Sequence, residues 1–445
     1  MMRKFHIKSD EDLLSTKKWI ADRTNSALID ENSNSVLDTV KWIIEMVRKS
    51  GDEAIVEFTE RFDGVILRPE QFEVPKEEII KCFNLVDPRL LKIIEKSAEN
   101  IRKFHSKNLR NSWEETYEDG TVIGQKVTPI EKVGVYVPGG KAFYPSSVLM
   151  NIIPAKIAGV KEIIMVSPPS YNGTIHPVVL ASAQIAGVDR IFKIGGAQAI
   201  AALAYGTKTV PSVEKITGPG NIYVTIAKSL VRGIVEIDCE AGPSEVVVVA
   251  DKTANPKCVA SEILAQAEHD EKACCVLITV ESESEIVAKV ESQIKNLISS
   301  LPRKEIIEKS LTNYGAIIIA RDWDELVEII NYFAPEHLNI QTELPRKIES
   351  RVRNAGAIML GTMTPVAVGD YMAGPNHILP TGRRARFSSP LTTEDFRKVT
   401  NYIYYSRARL FQESEDIVRF AEAEGLTAHA MSIKLRTSQG ENANE

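Results

Sequence analysis

Apolar residues recur at three-to-four spacing between charges over Asn34–Ser50 and Glu77–His105, which predicts amphipathic helices and makes the first hundred or so residues a helical scaffold. From Val133 the pattern changes. Short β-branched runs, VGVYV, EIIMV, RIFKI and VEKIT, are each followed by a helix-like stretch that begins with Gly, Pro, Ser or Asn. A second series starts at Glu245: VVVVA, a helix from Pro256 to His269, CVLITV, a long helix, GAIIIA, another helix, LNIQT and AGAIML. Strand–helix alternation of this kind gives parallel sheets. The fold class is therefore α/β, with two tandem parallel-sheet, incomplete Rossmann-like domains and helical N- and C-terminal arms. The two series share a rhythm but no residue-level repeat strong enough to establish duplication. After Pro380 the sheet signals stop, and Glu394–Ser406 and Ser414–Glu424 read as helices of an arm too small to hold its own core. Such an arm must dock on something. The final TSQGENANE is polar and is expected to fray.

Length and charge narrow the function. At 445 residues the chain suits about three cooperative units of roughly 150 residues each. Its 44% hydrophobic and 26% charged residues are those of a folded, water-soluble protein. With 54 Lys and Arg against 60 Asp and Glu, the net charge is -6, so the basic footprint of a nucleic-acid binder is missing. No apolar run approaches the roughly 20 residues that cross a bilayer, and charges interrupt the amino terminus where a signal peptide would need an apolar core. Small-molecule partners, no membrane and a cytoplasmic location are expected. Cys82, Cys239, Cys258, Cys274 and Cys275 lack CxxC spacing and read as reduced packing residues.

Three glycine turns lie between a strand and a helix: PGGKAFYPSS at Pro138–Ser147, GGAQ at Gly195–Gln198 and GPGN at Gly218–Asn221. In a parallel sheet such turns gather at the carboxyl ends of the strands, where helix amino termini and free N–H groups suit phosphate. None spells GxGxxG, so a standard Rossmann fingerprint is not supported. His6, His105 and His176 stand in polar surroundings and read as surface residues. Gln266 and His269 are three apart and share a helix face, with Gln266 extending the apolar stripe of Val259 and Ile263. A polar pair on a core-facing edge needs a partner. A divalent metal is one, with Asp370 and His429 as further ligands by type; hydrogen-bonded structural histidines are the other reading. Ala334–Pro335–Glu336–His337 sets a carboxylate beside an imidazole on a Pro-led turn. Neighbouring side chains point different ways, so the two are not expected to pair, but both can reach one cavity for separate proton transfers.

The segment Ile237–His269, IDCEAGPSEVVVVADKTANPKCVASEILAQAEH, resembles the signature block of the histidinol dehydrogenase family along its length. The same family is resembled by GVYVPGGKAFYPSSVLMNIIPAKIAGV, KIGGAQAIAALAYGT, KITGPGN, YFAPEHL, GDYMAGPNHILPT and EGLTAHA, so the likeness runs from GDEAIVEFTERFDG through His429. It implies an NAD-dependent, zinc-containing enzyme, one Zn2+ per subunit, that oxidises L-histidinol through histidinaldehyde to L-histidine. It also implies a homodimer with shared active sites, whose carboxyl arm completes the neighbour's. By matching motif positions, the zinc ligands fall on Gln266, His269, Asp370 and His429, and further substrate contacts on Ser244, Glu424 and His337. Cofactor contacts fall on Tyr136, Gln198 and Asn221. Glu336 and His337 take the catalytic roles, the imidazole as base for the alcohol and the carboxylate for the water that adds to the aldehyde.

The resulting division is an N-terminal arm at 1–24, a discontinuous α/β domain of 25–132 and 245–380 with the catalytic and metal site, an inserted nucleotide-binding α/β domain at 133–244, and a C-terminal arm at 381–445. One segment departs from the family: Arg383 and Arg384 stand where Gly and a small residue are usual. As solvated or dimer-contact charges they change nothing. Facing the site with Arg386 they would favour an anionic alcohol such as a sulfonated diol, whereas Glu424 suits cationic histidinol.

Overall fold

A computed structural model describes residues 2–24, 33–139, 143–239 and 242–438. The expected boundary at residue 24, part of the first glycine turn and the end of the polar tail fall at or outside these limits. The strands, in chain order, are β1 (Arg3–His6), β2 (Trp113–Thr116), β3 (Val122–Pro129), β4 (Lys132–Tyr136), β5 (Glu162–Val166), β6 (Arg190–Phe192) and β7 (Lys215–Thr217). They continue as β8 (Glu236–Ile237), β9 (Glu245–Ala250), β10 (Cys274–Val280), β11 (Ala316–Ala320), β12 (His337–Gln341), β13 (Ala357–Leu360) and β14 (Arg397–Tyr404).

Two parallel sheets form the larger compact unit, residues 1–108 and 130–396. One has the order β6-β5-β4-β7-β8, the other β1-β11-β10-β9-β12-β13. Without the edge strand β1, the two orders are the same: first strand central, second and third to one side, fourth and fifth to the other. The predicted strands are present in both series. β9 and β10 are buried at every position, which is why they read as unbroken apolar runs rather than alternating ones. β1 had no such signal. It is a four-residue edge strand with mostly exposed side chains, and its register against β11, Arg3 to Ala316 through His6 to Ile319, supplies the order its sequence lacks.

Each sheet is covered on both faces. Val246 and Val248 pack toward the helices Pro256–Ala267 and Glu285–Ile298, while Val247 and Val249 pack toward Asp10–Thr24 and Trp323–Phe333. The helices of 33–105 cover the other sheet. Val40, Ile43 and Phe58 join Ile164 and Phe192 on one face; Ile94, Ala98 and Ile101 join Val133 and Ile163 on the other. Sequence reading grouped these helices with 245–380. Amphipathic stripes state that a face is buried but not which sheet buries it. The expected Glu77–His105 helix is two, Lys76–Leu85 and Pro88–His105, because Asp87 caps the second by accepting from Arg89 N and Pro88 occupies its first position.

The second compact unit is 109–129 with 397–445. Its core element is the antiparallel sheet β14-β3-β2, paired from Arg397 opposite Pro129 to Tyr404 opposite Val122. This corrects the expected Glu394–Ser406 helix. The run VTNYIYY has β-branched and aromatic strand formers, but β14 is exposed at nearly every position and so lacks inward–outward alternation. The helix Arg407–Ala423 is present and has no buried residue.

Phe58 is fully buried against Trp42 at 5.1 Å and Phe62 at 5.7 Å. Phe58→Ala is expected to lower the unfolding free energy by about 3–5 kcal/mol in denaturant titration, because the cavity opens between a helix and the β6–β8 sheet. A loss below about 1 kcal/mol would show that this helix does not seal the core.

Candidate active site

The first and third glycine turns follow β4 and β7, where strand order reverses, and the second follows the edge strand β6 and reaches the same place through a bond from Gly196 N to the Tyr136 hydroxyl. Tyr136 ends β4, is 3% exposed, and accepts a hydrogen bond from Gly196 N at 3.2 Å through its hydroxyl. Burial pushes that phenol up to about 12. Gly218 has φ +113, and a Cβ there would collide with the Tyr136 carbonyl, so the second and third glycine turns are both braced by one tyrosine. Gln198, in the first turn of the helix Gly196–Tyr205, is 1% exposed, and both ends of its amide are buried without a partner. Thr217 Oγ1, at the end of β7, is in the same condition. Asn221 caps the helix Ile222–Val231, its Oδ1 accepting from Tyr223 N at 3.0 Å and Val224 N at 3.2 Å. Of the three expected cofactor contacts, Gln198 has both ends of its amide uncommitted, whereas the Tyr136 hydroxyl and Asn221 Oδ1 also perform local structural work. Buried polar atoms beside close-packed glycine backbone form a site that fits a dinucleotide.

Glu336 and His337 lie at the opposite kind of strand end, the amino end of β12, beside the amino end of β9. Ala334 closes the preceding helix in a left-handed conformation, φ 49, and Pro335 fixes the entry to Glu336. Both side chains are buried, and His337 Nδ1 is 3.6 Å from Glu336 Oε2. The two therefore do pair, against expectation: Glu336 precedes the strand and is not bound by its alternation. Glu336 Oε2 also accepts from Glu245 N at 2.7 Å, and Glu245 Oε2 accepts from Glu336 N at 3.3 Å. Glu245 Oε1 takes Gly382 N at 3.0 Å. Burial, with the facing Glu336 carboxylate, pushes Glu245 up to about 8.

His337 Nδ1 lies 3.2 Å from Glu245 O, and its Nε2 is buried, without a hydrogen bond, 4.0 Å from Asp370 Oδ1. Burial opposes a charged ring, but Glu336 and then Asp370 outweigh it and raise His337 to about 9. Asp370, in the helix Val366–Tyr371, is also 3.9 Å from His377 Nδ1. Glu262 holds the start of that helix by accepting from Val366 N at 2.9 Å. Gln266 is 3% exposed with Nε2 buried and unpartnered; an amide can present either end, so this is a place for an oxygen donor to a cation. The helix ends at Ala267, so His269 stands just past it and is exposed rather than on the helical face. Ser244 is half-buried, its carbonyl accepting from Cys274 N at 2.9 Å. Among the described residues no group of three His, Cys, Asp or Glu is arranged to hold a metal. Glu424 and His429 are exposed residues of the second compact unit, on the segment spanning its two helices.

Sequence reading missed Glu245, Glu262 and His377 as site residues. Glu245 follows the noted Ser244, but nothing local distinguishes an inward carboxylate at a strand's first position. Two expectations are corrected. His105 is fully buried, both ring nitrogens unpartnered, and burial lowers it to about 4. Arg383 is buried, its guanidinium 4.0 Å over the Tyr332 ring and its Nε donating to Tyr332 O at 3.1 Å, so it is neither a solvated charge nor an anion-binding residue at the site mouth.

A sequence profile described as histidinol dehydrogenase matches residues 28–437. The chain is 49% identical over 401 residues to a histidinol dehydrogenase of Clostridium acetobutylicum, covering 90% of this chain and 92% of that protein. It is 51% identical over 398 residues to the Aquifex aeolicus one, covering 89% and 92%. A crystal structure of histidinol dehydrogenase from Elizabethkingia anophelis superposes with a TM-score of 0.89 at 33% identity, covering 98% of each chain.

In the metal-free protein, His337 titrates near pH 9 instead of 6.5, so the stability it contributes is fully present below about pH 6.5 and fades as pH rises through about 9. An NMR titration of the ring protons is expected to give that midpoint. Glu336→Gln should lower the midpoint by about one unit or more, and an unchanged value would remove Glu336 as the cause.

Proposed function

The chain belongs to the histidinol dehydrogenase family, and on that premise we propose how its residues divide the work. It is an NAD-dependent oxidoreductase of histidine biosynthesis that takes L-histidinol through histidinaldehyde to L-histidine. The sulfonated-diol alternative has no support, its Arg383 being stacked on Tyr332. The observation that carries the division of roles is the Glu336–His337 pair at the head of β12, with Asp370 on the far side of the imidazole.

In the first step His337 accepts the hydroxyl proton as hydride leaves the alcohol carbon. The aldehyde has no second hydride to give until water adds. Glu336 deprotonates that water, and the hydrated aldehyde then gives up hydride to become the carboxylate. NAD+, when bound, would supply the hydride acceptor, one molecule for each of the two steps in succession, with Tyr136, Gln198 and Asn221 as its contacts. Gln198's uncommitted amide supports this assignment. Two carboxylates facing His337 hold it protonated in the bare chain, so its base form requires those charges to be answered by cations. The substrate's ammonium is one, with Ser244 and Glu424 as further substrate contacts. Zinc supplies a fixed positive centre for the substrate's nitrogen atoms; Gln266, His269 and Asp370, with His429 of a second copy, would hold it. Gln266's unpartnered amide and Asp370's place between two imidazoles support that donor set.

A homodimer with shared sites is part of the reading. Its support is a carboxyl unit that leaves Phe420 71%, Met431 55% and Leu435 56% exposed. No helix among the described residues is long and apolar enough to cross a membrane. A cytoplasmic location completes the reading.

Glu336→Gln is expected to slow oxidation of supplied histidinaldehyde by about 100-fold or more while affecting oxidation of histidinol far less, read as NADH formed in separate half-reaction assays. Equal losses would contradict the division of roles. A heterodimer of one His429→Ala subunit and one His337→Ala subunit should regain one working site, whereas each variant alone stays inactive. Verified heterodimers without activity would rule out a shared site.

A further inference from the structure

Beneath the GPGN turn lies an ion pair to which no role has yet been given. Lys228, in the helix Ile222–Val231, and Asp238, just past β8, have side chains 3% and 3% exposed and are bonded to each other. Lys228 Nζ also donates to Gly218 O at 2.9 Å, and Asp238 Oδ2 accepts from Gly218 N at 2.8 Å. Both backbone polar groups of one glycine are thus held, one by each member of the pair. That glycine sits at φ +113 against the Tyr136 carbonyl, next to the unpartnered Thr217 hydroxyl.

Stability alone is a weak reason for this arrangement. A buried ion pair gives up its hydration, and apolar replacements of similar volume are often as stable or more so. Position is the stronger reason. Gly218 and Gly220 bracket the turn, and a glycine turn left to itself samples many backbone states whose loss must accompany binding. We propose that the Lys228–Asp238 pair is a positioning device for NAD+: it fixes the backbone of the GPGN turn, and with it the start of the helix Ile222–Val231, in the binding conformation before the dinucleotide arrives. Neither side chain touches the cofactor. The proposal rests on the reading that NAD+ binds at the carboxyl ends of β4 and β7.

The test compares full-length Lys228→Met/Asp238→Asn with the parent and with Gln198→Ala, using NADH fluorescence titration and steady-state kinetics. The double variant removes both charges together, and its asparagine oxygen can still accept from Gly218 N. It should melt cooperatively within a few degrees of the parent, bind NADH about tenfold more weakly, and raise KM for NAD+ with kcat little changed. Amide exchange at Gly218 should quicken. A cooperative double variant with parental NADH affinity, while Gln198→Ala binds weakly, overturns the clasp but keeps the site. Parental affinity in both overturns the site and the clasp together. If the double variant does not fold, Lys228→Met alone, which removes the bond to Gly218 O, is held to the same measurements, with parental affinity again overturning the proposal.

Discussion

Two buried glutamate side chains that each accept the other's backbone N–H hold the heads of β9 and β12 together. Glu245 and Glu336 open adjacent parallel strands, and their reciprocal bonds fix the heads of β9 and β12 to one another where ladder bonding begins. Glu245 reaches further, to the backbone of Gly382, so a distant loop is drawn to the same point. The imidazole of His337 then has its Nδ1 side against Glu336 and the Glu245 carbonyl and turns Nε2 toward Asp370. Bringing like charges together without water is costly; Glu245, pushed up to about 8, favours its uncharged form at neutral pH, and backbone donors with the protonated His337 ring answer Glu336.

The two sheets share one strand order but use opposite ends. In the β6–β8 sheet the glycine turns lie at the carboxyl ends, where helix amino termini favour a phosphate-bearing ligand. In the other sheet the proposed acid–base pair, Glu336 and His337, lies at the amino end of the fourth strand, beside Glu245 at the amino end of the first. Similar topology therefore does not imply similar use. The glycine turns present backbone, whereas the β9–β12 end presents side chains buried deeply enough to shift their proton affinities.

What could be read from the sequence follows from burial. β9 and β10 were legible because both faces are covered, leaving an uninterrupted apolar run. β14 was not, because almost none of its side chains is buried in this chain, and β1 takes its order from a neighbour. Glu336 and His337 were legible as a Pro-led polar pair, but their contact depends on where the strand begins, which local pattern does not specify. Gln266 was visible as a polar residue on an apolar stripe. Glu245 and the Lys228–Asp238 pair were invisible because each is defined by bonds to backbone outside its own element, at Gly382 for the one and Gly218 for the other, which no local pattern specifies.

Arg383 carries a consequence for how this sequence can drift. It is a non-glycine residue in a left-handed conformation, φ 62, which disfavours it by about 1–2 kcal/mol. Its guanidinium lies on the Tyr332 face out of water, a contact of about 2 kcal/mol. The stacking and the Nε bond to Tyr332 O thus work against a backbone cost of similar size. An Arg383→Gly change would relieve the backbone and uncover one face of Tyr332 together.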